Sequence, residues 1–258
     1  MHHVLLQTGP NPPSASQLKQ AFQGVKRLTA VDAEKIARQA YGVLVRGLSL
    51  EELTIVQRAL AGQGVTAEVA SETDVPVLPE PKYTKRLELK DEALSVYDAI
   101  GRPVAVPWAH VALIAAGIVP RVNIVSFTTE EVEISLHLDG WSRRDVVTRL
   151  NHKLDTNAQL VLDLVLTAGR MRFQVESREF LWKYAVDRPD LDAHQRLAEL
   201  VRLLMQRAPQ ALLNRGATQL KNDAPLPLLY SSKAAFMDES VWILWQTGRP
   251  PGAAETAA

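Results

Sequence analysis

The chain has 258 residues, 47% of them apolar and 22% charged, which is the material of one or two ordinary globular domains, each with a sizeable core. Lys plus Arg and Asp plus Glu balance at 29 each, so no global field attracts nucleic acid or an anionic membrane. There is no cysteine, which excludes disulfide scaffolds, zinc ribbons, iron–sulfur clusters and thiol catalysis.

The first seventy residues read as strand, two helices, strand, helix, strand. His3 to Thr8 is a short Val/Leu strand, and Gly9-Pro10-Asn11-Pro12-Pro13 breaks it because proline lacks a donor and locks its dihedral. Ser14 or Ser16 caps a helix presenting Leu18, Phe22 and Val25 on one face. Asp32 to Ala37 is a second short helix, and Tyr41 to Val45 an apolar strand ending at Gly47. Ser49-Leu50-Glu51-Glu52 has capping-box spacing and opens a helix burying Leu53, Val56 and Leu60, with Ile55 and Ala59 beside them. Gly62 and Gly64 stop it, and Val65 to Val69 alternates as a last strand.

This order resembles the C-terminal domain of the ribosomal large-subunit stalk protein, chiefly in Gly47 to Val69. The resemblance implies a small βααβαβ domain. In that family a Gly-Leu-Gly turn and a Lys-rich helical face engage translation factors. The corresponding stretch here, Val25-Lys26-Arg27-Leu28-Thr29-Ala30-Val31-Asp32, lacks those glycines, and Asp32 and Glu34 dilute the charge of Lys26, Arg27 and Lys35.

Residues 73–82, with Pro76, Pro79 and Pro81, read as an extended linker. Beyond it, Arg86 to Lys90 and Ala93 to Tyr97 alternate as strands, Ile100-Gly101-Arg102-Pro103 marks a turn, and Val104 to Trp108 leads into the apolar run Val111 to Val119. Further strands are expected at Val122 to Phe127, Val132 to Leu138, Leu160 to Leu166 and Met171 to Glu176, with Ser142 to Leu154 as a short helix or basic excursion. Asp192 to Ala208 is an amphipathic helix with Leu197, Leu200, Val201, Leu204 and Met205 on its apolar face, closed by Pro209. Ala211 to Leu220 resumes as helix, while Val241 to Trp245 suits strand or helix equally. The strand–turn–strand with Gly-Arg-Pro and Val-Pro-Trp resembles bacterial pleckstrin-homology-like domains over residues 83–208, implying a mainly antiparallel barrel plugged by the helix. The turns Lys90-Asp91-Glu92 and Asp98-Ala99 lack the basic residues of lipid-binding members.

The expected fold class is therefore α+β: a stalk-like domain at 1–72, a Pro-rich linker at 73–82, a β-rich pleckstrin-like domain with a C-terminal helix at 83–247, and a disordered tail at 248–258. The N-terminus lacks the basic region and apolar core of a secretory signal, and the run at 111–119 is too short to span a bilayer, so a cytoplasmic location without membrane contact is expected.

Little catalytic chemistry is legible. The thirteen glycines form no phosphate-binding loop and no Gly-x-Ser-x-Gly elbow. His110, His137, His152 and His194 fall in four separate elements, and His3, which could complete an N-terminal copper or nickel chelate, belongs to the first strand. Glu51-Glu52, Asp91-Glu92 and Glu130-Glu131 are sequence neighbours, which do not share a face. Arg143-Arg144, with Trp141 and Arg149, is the one basic and aromatic cluster and reads as a solvated helix start. Trp108, Trp182, Trp242 and Trp245 are expected in packing. No catalytic, cofactor-binding or metal residue is assigned, and no cofactor is expected. The reading is a non-enzymatic adaptor whose partner is another protein, recognised through an exposed apolar groove on the barrel or the first two helices. An interdomain enzyme or small-molecule site using His110, Arg121, Asp163 or Arg172 is the first alternative. A ribosome- or RNA-associated factor using Arg143 and Arg144 is the second, with nucleic acid disfavoured by the charge balance.

Overall fold

The computed structural model describes residues 2–9, 11–39, 41–136, 142–167 and 171–248, with backbone alone for residues 39, 122–136 and 142–156. It is α+β. Its first six elements are β1 (His3–Gln7), α1 (Ala15–Phe22), α2 (Ala30–Gln39), β2 (Val43–Leu48), α3 (Leu50–Ala61) and β3 (Ala67–Ser71). Local chemistry places their boundaries. Ser14 caps α1 in a capping box with Gln17, and Ser49 caps α3 in the box with Glu52. Leu18, Phe22, Val25, Leu53, Val56 and Leu60 are buried as their spacing requires, whereas Ile55 is 45% exposed.

The three strands form a sheet in the order β2-β1-β3, both neighbours antiparallel to β1. Pairing of β1 with β2 slips twice: Leu5 faces Val45 but Leu6 faces Val43, and Val4 faces Arg46 but His3 faces Leu48. Leu44 and Gly47 are thus extra residues, and β2 is twisted by two bulges.

The following elements are β4 (Lys82–Tyr83), β5 (Leu87–Leu89), β6 (Ala93–Tyr97), β7 (Pro103–Pro107), β8 (Val111–Leu136), β9 (Ser142–Leu166), β10 (Arg172–Glu176), α4 (Ala193–Arg207), β11 (Leu212–Leu213), α5 (Arg215–Lys221) and α6 (Lys233–Thr247). Among the described residues these strands make two open sheets, β11-β8-β9-β10-β4 and β5-β6-β7, and not the expected closed barrel. Closure fails because β5–β7 pair only with one another, while the free side of β8 takes β11 in parallel and that of β10 takes β4 in parallel. Helix α4 consequently does not plug a barrel. It packs its buried stripe (Leu197, Leu200, Val201, Leu204) with Leu162, Leu164, Phe173 and Val175 of the five-stranded sheet and Leu94 and Val106 of the small one.

One further expectation changes and one open reading is decided. Ser142 to Leu154 is strand, part of β9, because Val146-Val147-Thr148 and the adjacent β8 favour ladder over helix. Val241 to Trp245 lies within α6, whose N-cap is Ser232. His137, Leu138, Trp141 and the tail from residue 249 lie outside the described residues.

The chain divides into two compact units. One joins residues 1–119 to 159–258; the other is 120–158, whose described residues all belong to β8 and β9. In the first unit the β2-β1-β3 sheet has a helix layer on each face. Leu5, Leu44 and Val45 pack with α1, α2 and α3. Val4, Leu6 and Val43 pack with Phe236, Val241, Trp242 and Trp245 of α6 and with Leu113, Val161 and Val165 of the five-stranded sheet. Val75 and Leu78, in the proline-rich stretch, are buried in that second cluster, and Lys82 and Tyr83 add a strand beside β10. Among the described residues no helix is long and apolar enough to cross a membrane.

Candidate functional site

A groove of about 390 Å³ runs between α2, β2 and the first turns of α6. Its floor is apolar: Leu28 and Ile36 from the α2 side, Val43, Leu44 and Val45 from β2, Ala234 and Ala235 from α6. The bulge at Leu44 explains how consecutive β2 residues line one groove. Val43 belongs to the α6 layer and Leu44 to the α1–α3 layer, so the groove follows the strand edge where the two layers part. Small residues at 234 and 235 keep the α6 wall low.

The rim carries both signs of charge, Asp32, Lys35, Arg46 and Asp238. Arg46 Nη2 donates to Asp238 Oδ1 at 2.9 Å and ties β2 to α6. The Thr29 hydroxyl and amide both donate to Asp32, which holds that carboxyl below its ordinary range, with Lys35 adding to the effect. The rim stays charged but neutral in sum at pH 7.

The α6 wall is positioned by a buried polar network. Glu239 is fully buried, and its Oε1 accepts the Arg215 main-chain N–H at 2.7 Å. Its Oε2 accepts Arg215 Nε at 3.2 Å and Nη2 at 3.1 Å, and the Tyr230 hydroxyl at 2.8 Å. Asn214 extends the network: its Nδ2 donates to the Tyr230 oxygen at 2.8 Å and the Ala116 carbonyl at 3.1 Å, while its Oδ1 accepts the amides of Ala116 and Ala217. A buried carboxylate without such partners would be expelled. With them, α6 is held in one orientation against β8 and α5. The Arg215 guanidinium also lies 3.9 Å over the Tyr41 ring, which meets Trp242 edge-on at 5.1 Å. Burial, then the Glu239 charge, pushes the Tyr230 phenol far above its ordinary value, so it is a permanent donor.

Of the residues expected for an interdomain site, the first unit brings two together. Asp163 and Arg172 do meet on neighbouring strands, with Arg172 Nε donating to Asp163 Oδ2 at 2.7 Å and Gln174 Nε2 to Oδ1 at 2.6 Å. Both ion-pair residues are 1% exposed, so this cluster is sealed from any substrate. Burial raises the Asp163 carboxyl, while Arg172 and Gln174 draw it back. His110 is exposed at the end of a 3-10 turn, and Arg121 is exposed in the second unit. His3 is half-buried in β1, and His194 sits in α4 by a polar recess whose arginines Arg188 and Arg202 are paired with Asp190 and Asp223. Among the described residues no three His, Asp or Glu side chains could hold a metal ion. Trp108, Trp242 and Trp245 are buried in the cores. Of Arg143 and Arg144 only the backbone, in β9, is described.

Arg215, Tyr230 and Glu239 carried no local sequence signal of a site. The one available hint was a glutamate inside the otherwise apolar stretch Phe236 to Trp245, which needs a buried partner. Compared with family models, with curated proteins and with solved structures, the chain matches none.

Proposed function

We propose that this protein is a non-enzymatic adaptor that holds a short segment of another protein in the α2–β2–α6 groove. The observation that carries the reading is the groove itself, an apolar floor rimmed by alternating charges, which is the anatomy of a protein interface core and its rim. Its volume suits two or three apolar side chains from the partner. The two bulges in β2 disfavour addition of a ladder-paired strand, so recognition runs through side chains that enter the groove. The neutral rim favours a partner segment of low net charge over a polyanion. The βααβαβ order of the first six elements supports the stalk-like resemblance, and the groove lies along the second helix of that module.

The test is selection of a displayed library of random peptides on the whole chain. Selected peptides should carry apolar anchors and should lose at least tenfold in affinity when Ala235→Trp fills the groove. Failure to enrich any peptide, or equal binding to the filled variant, rejects the reading.

A further inference from the structure

A second recess, of about 380 Å³, lies between α5, α6 and Tyr41 at the entry to β2. It shares no lining residue with the groove at α2. Its walls are mostly apolar, from the Tyr41 ring, Leu213, Trp242 and Ile243. Its polar groups are few: Arg215, Thr218 and Gln219 of α5, with Glu239 behind them on α6. An apolar hollow of this size with a few polar groups is the usual form of a small-ligand site.

The Arg215 guanidinium is fixed on two sides. Its Nε and Nη2 both donate to Glu239 Oε2, and its plane lies 3.9 Å over the Tyr41 ring. Its third nitrogen, Nη1, has no partner among the described residues and is not shut away from solvent. Exposure separates the two charges. The Arg215 side chain is 40% exposed and that of Glu239 is fully buried, so only the cation of this pair reaches the surface. Glu239 spends its oxygens inward as well, on the Arg215 main-chain N–H and the Tyr230 hydroxyl. The pair therefore presents donors to the recess although it is neutral in sum.

We propose that this recess binds a compact apolar body bearing one carboxylate, with the carboxylate on Arg215 Nη1 and the body against Leu213, Trp242 and Ile243. A guanidinium stacked on an aromatic ring and bonded along one edge is already ordered, so a carboxylate at its free nitrogen gains a charge-assisted bond without the cost of freezing the side chain. Only one charge on the ligand is answered. Among the described residues lining the recess there is no second cation, and Glu239 offsets the first, so a dianion such as phosphate is disfavoured. This site is independent of the peptide groove and stands or falls without it.

The test is titration of the whole chain with benzoate, followed by the amide chemical shifts of Thr218, Gln219 and Ile243. Benzoate should bind with a Kd of about 1 mM or tighter, the level a ligand of about nine heavy atoms reaches at ordinary efficiency. Benzamide, its uncharged counterpart, and inorganic phosphate should each bind at least tenfold more weakly. N-Acetylphenylalanine carries the same chemistry as the end of a peptide chain, and whichever acid binds more tightly names the source, a free acid or a chain end. Thr218 is exposed and three residues from Arg215, so Thr218→Glu places a tethered carboxylate beside the guanidinium without touching the core. That variant should weaken benzoate at least tenfold, whereas Thr218→Gln, of the same size, should not. Absence of binding by both acids overturns the proposal. So does benzamide binding as well as benzoate, or a Thr218→Gln variant as weak as Thr218→Glu.

Discussion

The indole Nε1–H of Trp242, in the last helix, donates at 2.6 Å to the main-chain carbonyl of Gln7, at the end of the first strand. Beside it the Gln7 main-chain N–H donates to the Gly42 carbonyl at 2.7 Å, and Trp242 packs on Gly42 itself. Two ends of the chain are thus joined where β1, β2 and α6 meet, next to the groove. Trp242→Phe keeps most of the apolar contact but leaves a buried carbonyl short of its donor. It should cost about 1–3 kcal/mol, read as a lower urea midpoint with an unchanged slope.

Gly42 has φ +89°, and a Cβ there would lie 2.2 Å from Trp242 Cγ. Gly64 has φ +76° with nothing within 4 Å. Alanine at either position bears the left-handed backbone cost of about 1–2 kcal/mol. Gly42→Ala bears a clash in addition, so it should lower the melting temperature clearly more than Gly64→Ala. Equal effects would refute the packing of α6 on β2.

Glu239→Ala removes the acceptor of the Arg215 main-chain N–H and the Tyr230 hydroxyl together and should cost about 1–3 kcal/mol, since it leaves buried donors unpaired while the part-exposed Arg215 guanidinium can turn to water. Glu239→Gln should recover part of the loss. The alkaline limb carries the same information. Tyr230 has a folded-state pKa above its ordinary value of 10.0, so the unfolded chain releases that proton first. The contribution is full below pH 10 and is lost as pH rises beyond it. Tyr230→Phe should flatten the fall of stability above pH 10, measured by chemical denaturation across that range.

Arg172→Met leaves Asp163 buried without its cation and should cost about 3–5 kcal/mol, whereas Asp163→Leu combined with Arg172→Met should recover most of it. A double-mutant cycle on thermal midpoints gives the coupling. A cluster retained for orientation and not for stability would show as a more stable double variant.

Much of the first seventy residues was legible because their signals are local. The Ser49/Glu52 box, the Ser14 cap and the 3.6-residue apolar spacing act within one or two turns, and they form the same helices wherever the segment sits. Local signals failed at Ser142 to Leu154, expected as helix or a basic excursion and found as strand, and left Val241 to Trp245 open. The first pairs along β8 in a long-range ladder, and the second continues the helix that Ser232 opens, with Trp242 and Trp245 buried.

The candidate site was beyond local reading altogether. Ile36 was visible as a helix residue, but its groove needs Val43 and Ala235, the latter about two hundred residues away in sequence. Composition, caps and periodicity by themselves determined an α+β chain, its principal helices and the alternating faces of its strands, because those depend on neighbours a few residues apart. The open sheets, the pairing of buried Glu239 with Arg215 and the groove were decided only by tertiary structure, because each depends on which distant surfaces come together to bury apolar area and satisfy buried charge.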